Sequence, residues 1–287
     1  MSLNPDQRRR KRTPADRFIS GFSSLRFAMT EPLLLRIARA KYERFYADPD
    51  ENPLVSVYIP TYNRAQLLVE RAVSSVLSQT YRNLELVIVG DHCTDNTAKV
   101  LSQIADPRLR FHNLPARKRR YPDVAEIHWL AGPVVPANAA LELVRGKWIA
   151  RIDDDDIWTP DHIEVLLRFA QKECSEFVSA AYATERHGKR ILVDVKGENP
   201  RIGGTQTWLY RSYLRFFRYN INCWRKSWNR VNDTDLQDRM FKAGVRMSFL
   251  DQVVAYVLPR PGEVTVGLEA YKLTEQQKLD HYKFSDK

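Results

Sequence analysis

The sequence predicts an α/β protein: a Rossmann-like, mostly parallel sheet flanked by helices, with a helical extension at the N-terminus. Three observations carry that expectation. Segments such as "LVSVYIP" and "LELVIVG" are apolar almost throughout, as strands buried on both faces of a parallel sheet must be. Segments whose apolar residues recur at helical spacing alternate with them. The polar clusters "PTYN", "GDHCTD" and "DDDD" each follow a strand-like segment directly. They therefore meet at the carboxyl ends of strands, where open α/β sheets bind ligands.

The elements follow in order. Residues 1–52 form a basic helical extension, with eleven basic and six acidic residues in the first 50. Phe18, Phe22, Leu25 and Met29 recur at helical spacing, and a second helix is expected from Thr30-Glu31-Pro32 to about Tyr46. "ADPDENP" reads as a linker. Residues 53–260 form the main domain. There "AQLLVERAVSSVLSQ" and "TDNTAKVLSQIA" are helical, and "LRFHNL" is a third strand. "PANAALELVRG" is a helix closed by Gly146 as its C-cap, and "KWIARI" a further strand. "TPDHIEVLLRFAQK" is a helix with Thr159 as N-cap and Pro160 at its first position. Beyond it the alternation is less regular, and residues 261–287 read as a tail.

Composition sets outer bounds. At 287 residues and 44% hydrophobic content the chain can bury a sizeable core. A net charge of +10 favours an anionic partner without choosing among a nucleotide, a phospholipid surface and nucleic acid. Cys93, Cys174 and Cys223 are widely spaced and form no CxxC pair, which points to a reducing compartment. No apolar stretch approaches the ~20 residues that span a bilayer. The run "RRRKR" has no clean apolar core behind it and does not resemble a secretory signal. The expected location is cytoplasmic, with peripheral attachment to the inner face of the membrane left open.

The run Asp153–Asp156 poses the chemical question, because four adjacent like charges repel one another. Either the run is a solvated loop or a cation sits on it. Carboxylates two residues apart on a tight loop can converge on one hard cation. Oxygen-only ligation suits Mn2+ or Mg2+ held jointly with substrate phosphates. An EF-hand would need a glycine and a bidentate Glu that are missing here. The six histidines have no paired spacing that would support zinc. The absence of GxGxxG and GxxxxGK[ST] argues against dehydrogenases and P-loop kinases.

"VSVYIPTYNRAQLLVERAVSSVLSQTYRNLELVIVGDHCTDNT" and "ANAALELVRGKWIARIDDDDIWTPDHIE" resemble, in order, the opening blocks of the family 2 glycosyltransferases of the GT-A fold. The resemblance covers roughly residues 54–170. It implies an inverting, metal-dependent transfer of a sugar from a nucleotide-diphosphate donor, a UDP-sugar being favoured. The acceptor would be a hydroxyl on a glycan or lipid-linked molecule in envelope polysaccharide synthesis. Tyr62, beside Pro60 and Thr61, would contact the base, and Asp91 the base or ribose. Asp153 and Asp155 match the ends of the DxD motif. Asp155 would be the metal ligand, while Asp153 or Asp154 contacts the ribose or the metal's waters. Gly90 and His92-Cys93 depart from the family pattern around Asp91, and Ala137 stands where an Arg is frequent. The basic insertion holding Arg117, Arg119 and Arg120 would supply charge for the uracil or phosphates, or is a solvated loop.

"NRVNDTDLQDRMFKAG" resembles the family's later block, whose acidic residue at a helix start is the catalytic base. That places Asp233 as base or helix cap, with Asp235 as the fallback. "GGTQTWLYRSYL" would floor the acceptor side, Trp208 offering its face to a sugar or lying in the core. Trp208–Arg230 interleaves six basic with eight aromatic residues and no acid, which also suits single-stranded nucleic acid. A noncatalytic nucleic-acid or membrane binder is therefore the alternative, and nucleic acid the less favoured partner. A binder has no need of Asp91, Asp153, Asp155 and Asp233 together. A nucleotidyltransferase would carry a Gly-rich phosphate loop where "PTYNR" stands. For residues 1–50 two readings stay open: packing on the domain or on a second subunit, or lying on an anionic membrane.

Overall fold

The computed structural model describes residues 12–47, 50–116, 125–193, 204–226 and 231–273. Its helices are α1 (Pro14–Tyr42), α2 (Ala65–Leu68), α3 (Ser74–Leu77), α4 (Thr97–Ser102), α5 (Ala125–Ala131), α6 (Val134–Leu143), α7 (His162–Lys172), α8 (Asn232–Ala243) and α9 (Gly267–Leu273). Its strands are β1 (Val55–Thr61), β2 (Leu84–Gly90), β3 (Leu109–Asn113), β4 (Trp148–Arg151), β5 (Asp156–Trp158), β6 (Phe177–Arg186), β7 (Lys189–Val193), β8 (Leu209–Arg211) and β9 (Met247–Val257).

These strands form one sheet in the order β3-β2-β1-β4-β8-β6-β9-β5, with β7 paired to β6. The first four are mutually parallel, as the helix–strand alternation requires. The second half is mixed: β8 runs antiparallel to β4 and β6, β9 parallel to β6, and β5 antiparallel to β9. Every residue of β1 and β2 is buried, in keeping with their nearly apolar sequence, and among the polar exceptions Ser56 and Glu85 hydrogen-bond to each other. One face packs on Leu68, Ala72 and Val76 of the first helical stretch and on Ile163 and Leu166 of α7. The other packs on Leu35, Ala137, Leu141, Leu236 and Met240, drawn from α1, α6 and α8. Among the described residues no helix is long and apolar enough to cross a membrane.

Three local expectations are corrected. The N-terminal segment is one 29-residue helix, not two, and Pro32 lies inside it. Proline removes a helical hydrogen bond and strains the preceding turn. Here contacts with the body hold the helix on both sides of it. Glu31 pairs with Arg239 before the proline, and Leu35 and Ala38 are buried after it. Helix α6 ends at Leu143 with Val144 as C-cap, because Val144 already has extended backbone. Gly146 serves close approach instead: a Cβ there would lie 2.6 Å from the Leu54 carbonyl oxygen. Helix α7 begins two residues later than expected, after Asp161. Thr159 and Pro160 form the turn before it, with the His162 amide donating to the Thr159 carbonyl at 3.2 Å.

Candidate active site

The loops after the parallel strands are tied to one another. Asn63, after β1, has φ 48°, a left-handed conformation that asparagine tolerates. Its side-chain nitrogen donates to Thr94 Oγ1 at 3.2 Å, and its oxygen accepts from the Thr94 amide at 2.8 Å. Asn113, at the end of β3, brackets Cys93 in the same way, at 2.8 and 2.9 Å. Gly90 makes this possible, since a Cβ there would sit 2.6 Å from Asn113 Oδ1. The departure at Gly90 thus has a packing cause. On this frame Pro60 and Thr61 are buried, Asp91 is half-buried, and the Tyr62 ring stands 50% exposed. The Asp91 amide donates to the Thr61 carbonyl at 2.9 Å.

The acidic loop lies between β4 and β5, and guanidinium groups surround it. Asp154 is buried and accepts from Thr61 Oγ1 at 2.8 Å and from Arg64 at 2.7 Å. Asp155 accepts from Arg260 Nε at 2.6 Å, and Arg64 stands 3.8 Å away. Arg151, buried beneath the loop, donates to Asp153 at 2.9 Å and lies over the Tyr219 ring. Arg71 donates to the Asp155 carbonyl at 2.9 Å and to the Pro259 carbonyl at 2.6 Å. Arg71 sits in the π-helical turn Val69–Val73 that joins α2 to α3. Arg71 and Arg260 also line a cleft of about 660 Å3 with Leu258, Glu263 and Val264.

These surroundings divide the four carboxyls. Burial pushes Asp154 above the ordinary carboxylate range, against the pull of Arg64. Burial and the three neighbouring aspartates push Asp156 well above it. Against the penalty of burial, Arg260 and Arg64 hold Asp155 below that range. Asp155, which is half-buried, is therefore the most firmly anionic of these three. Among the described residues no group of three His, Cys, Asp or Glu side chains forms a protein-only metal cage. Mg2+ and Mn2+ do not need one, since one or two carboxylates completed by phosphate oxygens and water suffice. An oxygen-only, anionic Asp155 fits such an ion.

The first turn of α8 reaches the same place. Its N-cap is Val231, which has no side chain for capping, and Asp233 follows within the turn. Asp233 Oδ1 accepts from the Thr234 amide at 2.6 Å. Burial raises the Asp233 pKa, Arg151 opposes that, and Asp153 adds to it. Tyr182, on β6, is pushed up to about 12 by burial and by Asp156 and Asp233. Asp153, Asp156 and Asp233 thus act on shared neighbours. Asp235, two residues on, is 0% exposed and held by Lys226 at 2.5 Å and Arg239 at 3.0 Å. Trp208 is 1% exposed and packs edge-on against Phe177, so its ring belongs to the core. Arg117, Arg119, Arg120 and Gly203 lie outside the described residues.

Arg64, Arg71, Arg151 and Arg260 went unassigned in the sequence. Arg64 stands inside the quoted "PTYNR" and was open to notice. Nothing local marks Arg260, which reaches the loop because β9 pairs with β5. The basic–aromatic stretch after Trp208 loses its nucleic-acid character. Tyr210, Tyr213, Phe217, Tyr219 and Trp224 are buried. Arg211, Arg218, Arg225 and Lys226 pair with Glu43, Glu142, Asp16 and Asp235.

A parallel half-sheet with polar, acidic loops gathered at its carboxyl edge places this chain among the open α/β proteins that bind ligands at that edge. The sequence model of "Glycosyl transferase family 2" matches residues 56–231, more than half of the chain. The chain belongs to that family. It is 38% identical over 124 residues to WcaA of Escherichia coli (strain K12), a protein named for colanic acid biosynthesis. That match covers 42% of this chain and 39% of the relative, so the chain spans well under two thirds of it. S. aureus TarS 1-349 in complex with UDP-GlcNAc has a TM-score of 0.57 at 20% identity, over 73% of this chain and 60% of that one. Mannosyltransferase PcManGT from Pyrobaculum calidifontis, in complex with GDP-Man and Mn2+, has a TM-score of 0.55 at 18% identity, over 88% and 70%. These structures establish a shared GT-A fold.

Proposed function

We propose that this chain moves a sugar, with inversion, from a nucleoside-diphosphate donor to a hydroxyl of a glycan or lipid-linked acceptor in envelope polysaccharide synthesis. The observation that carries the reading is the meeting of Asp233, its pKa raised, with the acidic loop at the strand ends. The WcaA name supports the polysaccharide setting, and the two ligand complexes support a nucleotide-sugar donor.

In this reading the exposed Tyr62 ring stacks on the base. Asp91 accepts hydrogen bonds from base or ribose, and Asp153 from the ribose. Pro60, Thr61 and Asp154 hold the two loops in register. Asp155 would hold Mn2+ or Mg2+, and such an ion would supply neutralising charge for the departing diphosphate. Arg64, Arg71 and Arg260 add fixed positive charge at that end of the site. Asp233 takes the proton of the acceptor hydroxyl as its oxygen attacks the anomeric carbon. The bond to the diphosphate breaks on the opposite face as the new glycosidic bond forms. Asp235, sealed between Lys226 and Arg239, holds the α8 turn in place.

The test is release of nucleoside diphosphate from a panel of UDP- and GDP-sugars, with Mn2+ and candidate glycan or lipid-linked acceptors. Turnover that needs both acceptor and Asp233 supports the reading. Turnover unchanged in Asp233→Asn would remove Asp233 from the role. No turnover with any donor, together with no nucleotide binding, would leave the family fold serving another purpose.

A further inference from the structure

Helix α1 presents its faces in reverse of the usual order for a surface helix. Phe18, Phe22, Leu25, Met29, Leu33 and Ile37 follow one another at intervals of three or four residues. That spacing aligns them on one side of a helix with 3.6 residues per turn. Their exposures are 75, 64, 60, 69, 58 and 55%. At 1.5 Å per residue the stripe runs for roughly 28 Å. Isolated exposed apolar side chains need no explanation, but an aligned row of six large ones marks an interaction surface.

The charges are sorted in the same sense. Between residues 12 and 47 the acidic residues are Asp16, Glu31 and Glu43. Each is engaged by an arginine of the body: Arg225, Arg239, and Arg211 with Arg246. Arg26, Arg36, Lys41 and Arg44 remain exposed. The outward side of α1 therefore combines large apolar groups with cations. Its inward side anchors the helix through Leu35, Ala38 and the Arg39–Glu176 pair at 2.5 Å.

We infer that this outward face docks on an anionic lipid surface, the helix lying in the plane of the interface. The apolar row would sit among the headgroups and upper acyl chains while the cations meet lipid phosphates. Packing against the body and lying on a membrane are then compatible, because they use opposite sides of one helix. A second copy of the chain fits this face less well. A symmetric pairing would set Arg26 and Arg36 of each copy near those of the other, with no acid on the face to separate them. Nucleic acid would leave the apolar row without a partner. The inference does not depend on the transfer chemistry proposed above.

The test is co-sedimentation of the full chain with vesicles of phosphatidylcholine alone or with phosphatidylglycerol added, with light scattering of the protein without lipid. A variant carrying Phe18→Gln, Phe22→Gln, Met29→Gln and Leu33→Gln keeps every charge, and its thermal melt checks folding. The expected result is partition into anionic vesicles that falls at least tenfold in this variant and at high salt. A second variant, Arg26→Gln with Arg36→Gln, should weaken the same partition without touching the apolar row. Absence of vesicle binding by the unmodified chain would overturn the inference. So would equal binding to neutral vesicles, or a dimer that the fourfold variant dissolves while neither protein binds lipid.

Discussion

Two aspartates separated by one residue have opposite surroundings, and the difference yields opposite predictions. Asp233 stands half-buried at the start of α8 with its pKa raised, while Asp235 is fully buried between two cations. Asp233→Asn should leave nucleotide binding and the melting temperature intact and lower kcat by roughly 10²–10⁴, the worth of a general base. The base form is the ionised one, so activity should rise with pH, with a midpoint above the ordinary aspartate value because burial disfavours that form. Steady-state kinetics from pH 4 upward would check both; a limb at the unperturbed aspartate value would contradict the burial argument. Asp235→Asn should instead destabilise the fold by about 3–5 kcal/mol, since it leaves Lys226 without its counter-charge and Arg239 with Glu31 alone. Urea unfolding distinguishes the two variants. At this scale Asp153–Asp156 was legible as an improbable run of charge, and Asp233 only through resemblance. Arg71 and Arg260 were not legible, because a guanidinium's partner is set by which segments the sheet brings together.

Helix α1 shows how far a periodic pattern carries. The spacing of Phe18, Phe22, Leu25 and Met29 does specify a helix, but those residues lie outside the core. The buried side is held by Leu35, Ala38 and ion pairs whose partners are over a hundred residues distant in sequence. A one-dimensional pattern reports alignment along a helix and cannot say which aligned face meets the body. Pro32 misled for a related reason: its local cost is real, yet contacts on both sides override it. Leu35 is 1% exposed within the core formed by α1, α6 and α8. Leu35→Ala should cost about 2–5 kcal/mol, the range for emptying a buried leucine site. A loss below about 0.5 kcal/mol in urea unfolding would show that α1 rests on the body through its ion pairs alone.

For the whole molecule, legibility divides along the sheet. The parallel half, β3-β2-β1-β4, was readable because β1 and β2 are apolar almost throughout and each of the four strands precedes a polar loop. The mixed half was not. β5 and β8 span only three residues each, and β6 and β9 alternate too little to stand out. That unread half nonetheless completes the site, since β9 delivers Arg260, β6 delivers Tyr182, and α8 delivers Asp233. The net charge of +10 is likewise distributed by the fold: many cations after Trp208 pair with acidic residues, while Arg26, Arg36 and Lys41 on α1 face outward. What unites these parts is the claim that the acidic loop receives the diphosphate end of a nucleotide-sugar through an ion on Asp155. Calorimetric titration of the full chain with UDP and GDP, in Mn2+ and in EDTA, alongside Asp155→Ala, tests it most directly. Binding of the preferred nucleotide should be at least tenfold weaker in EDTA, and Asp155→Ala should show the same weakened affinity in Mn2+. Equal affinity in all three conditions, with Asp155→Ala still folded, would contradict it.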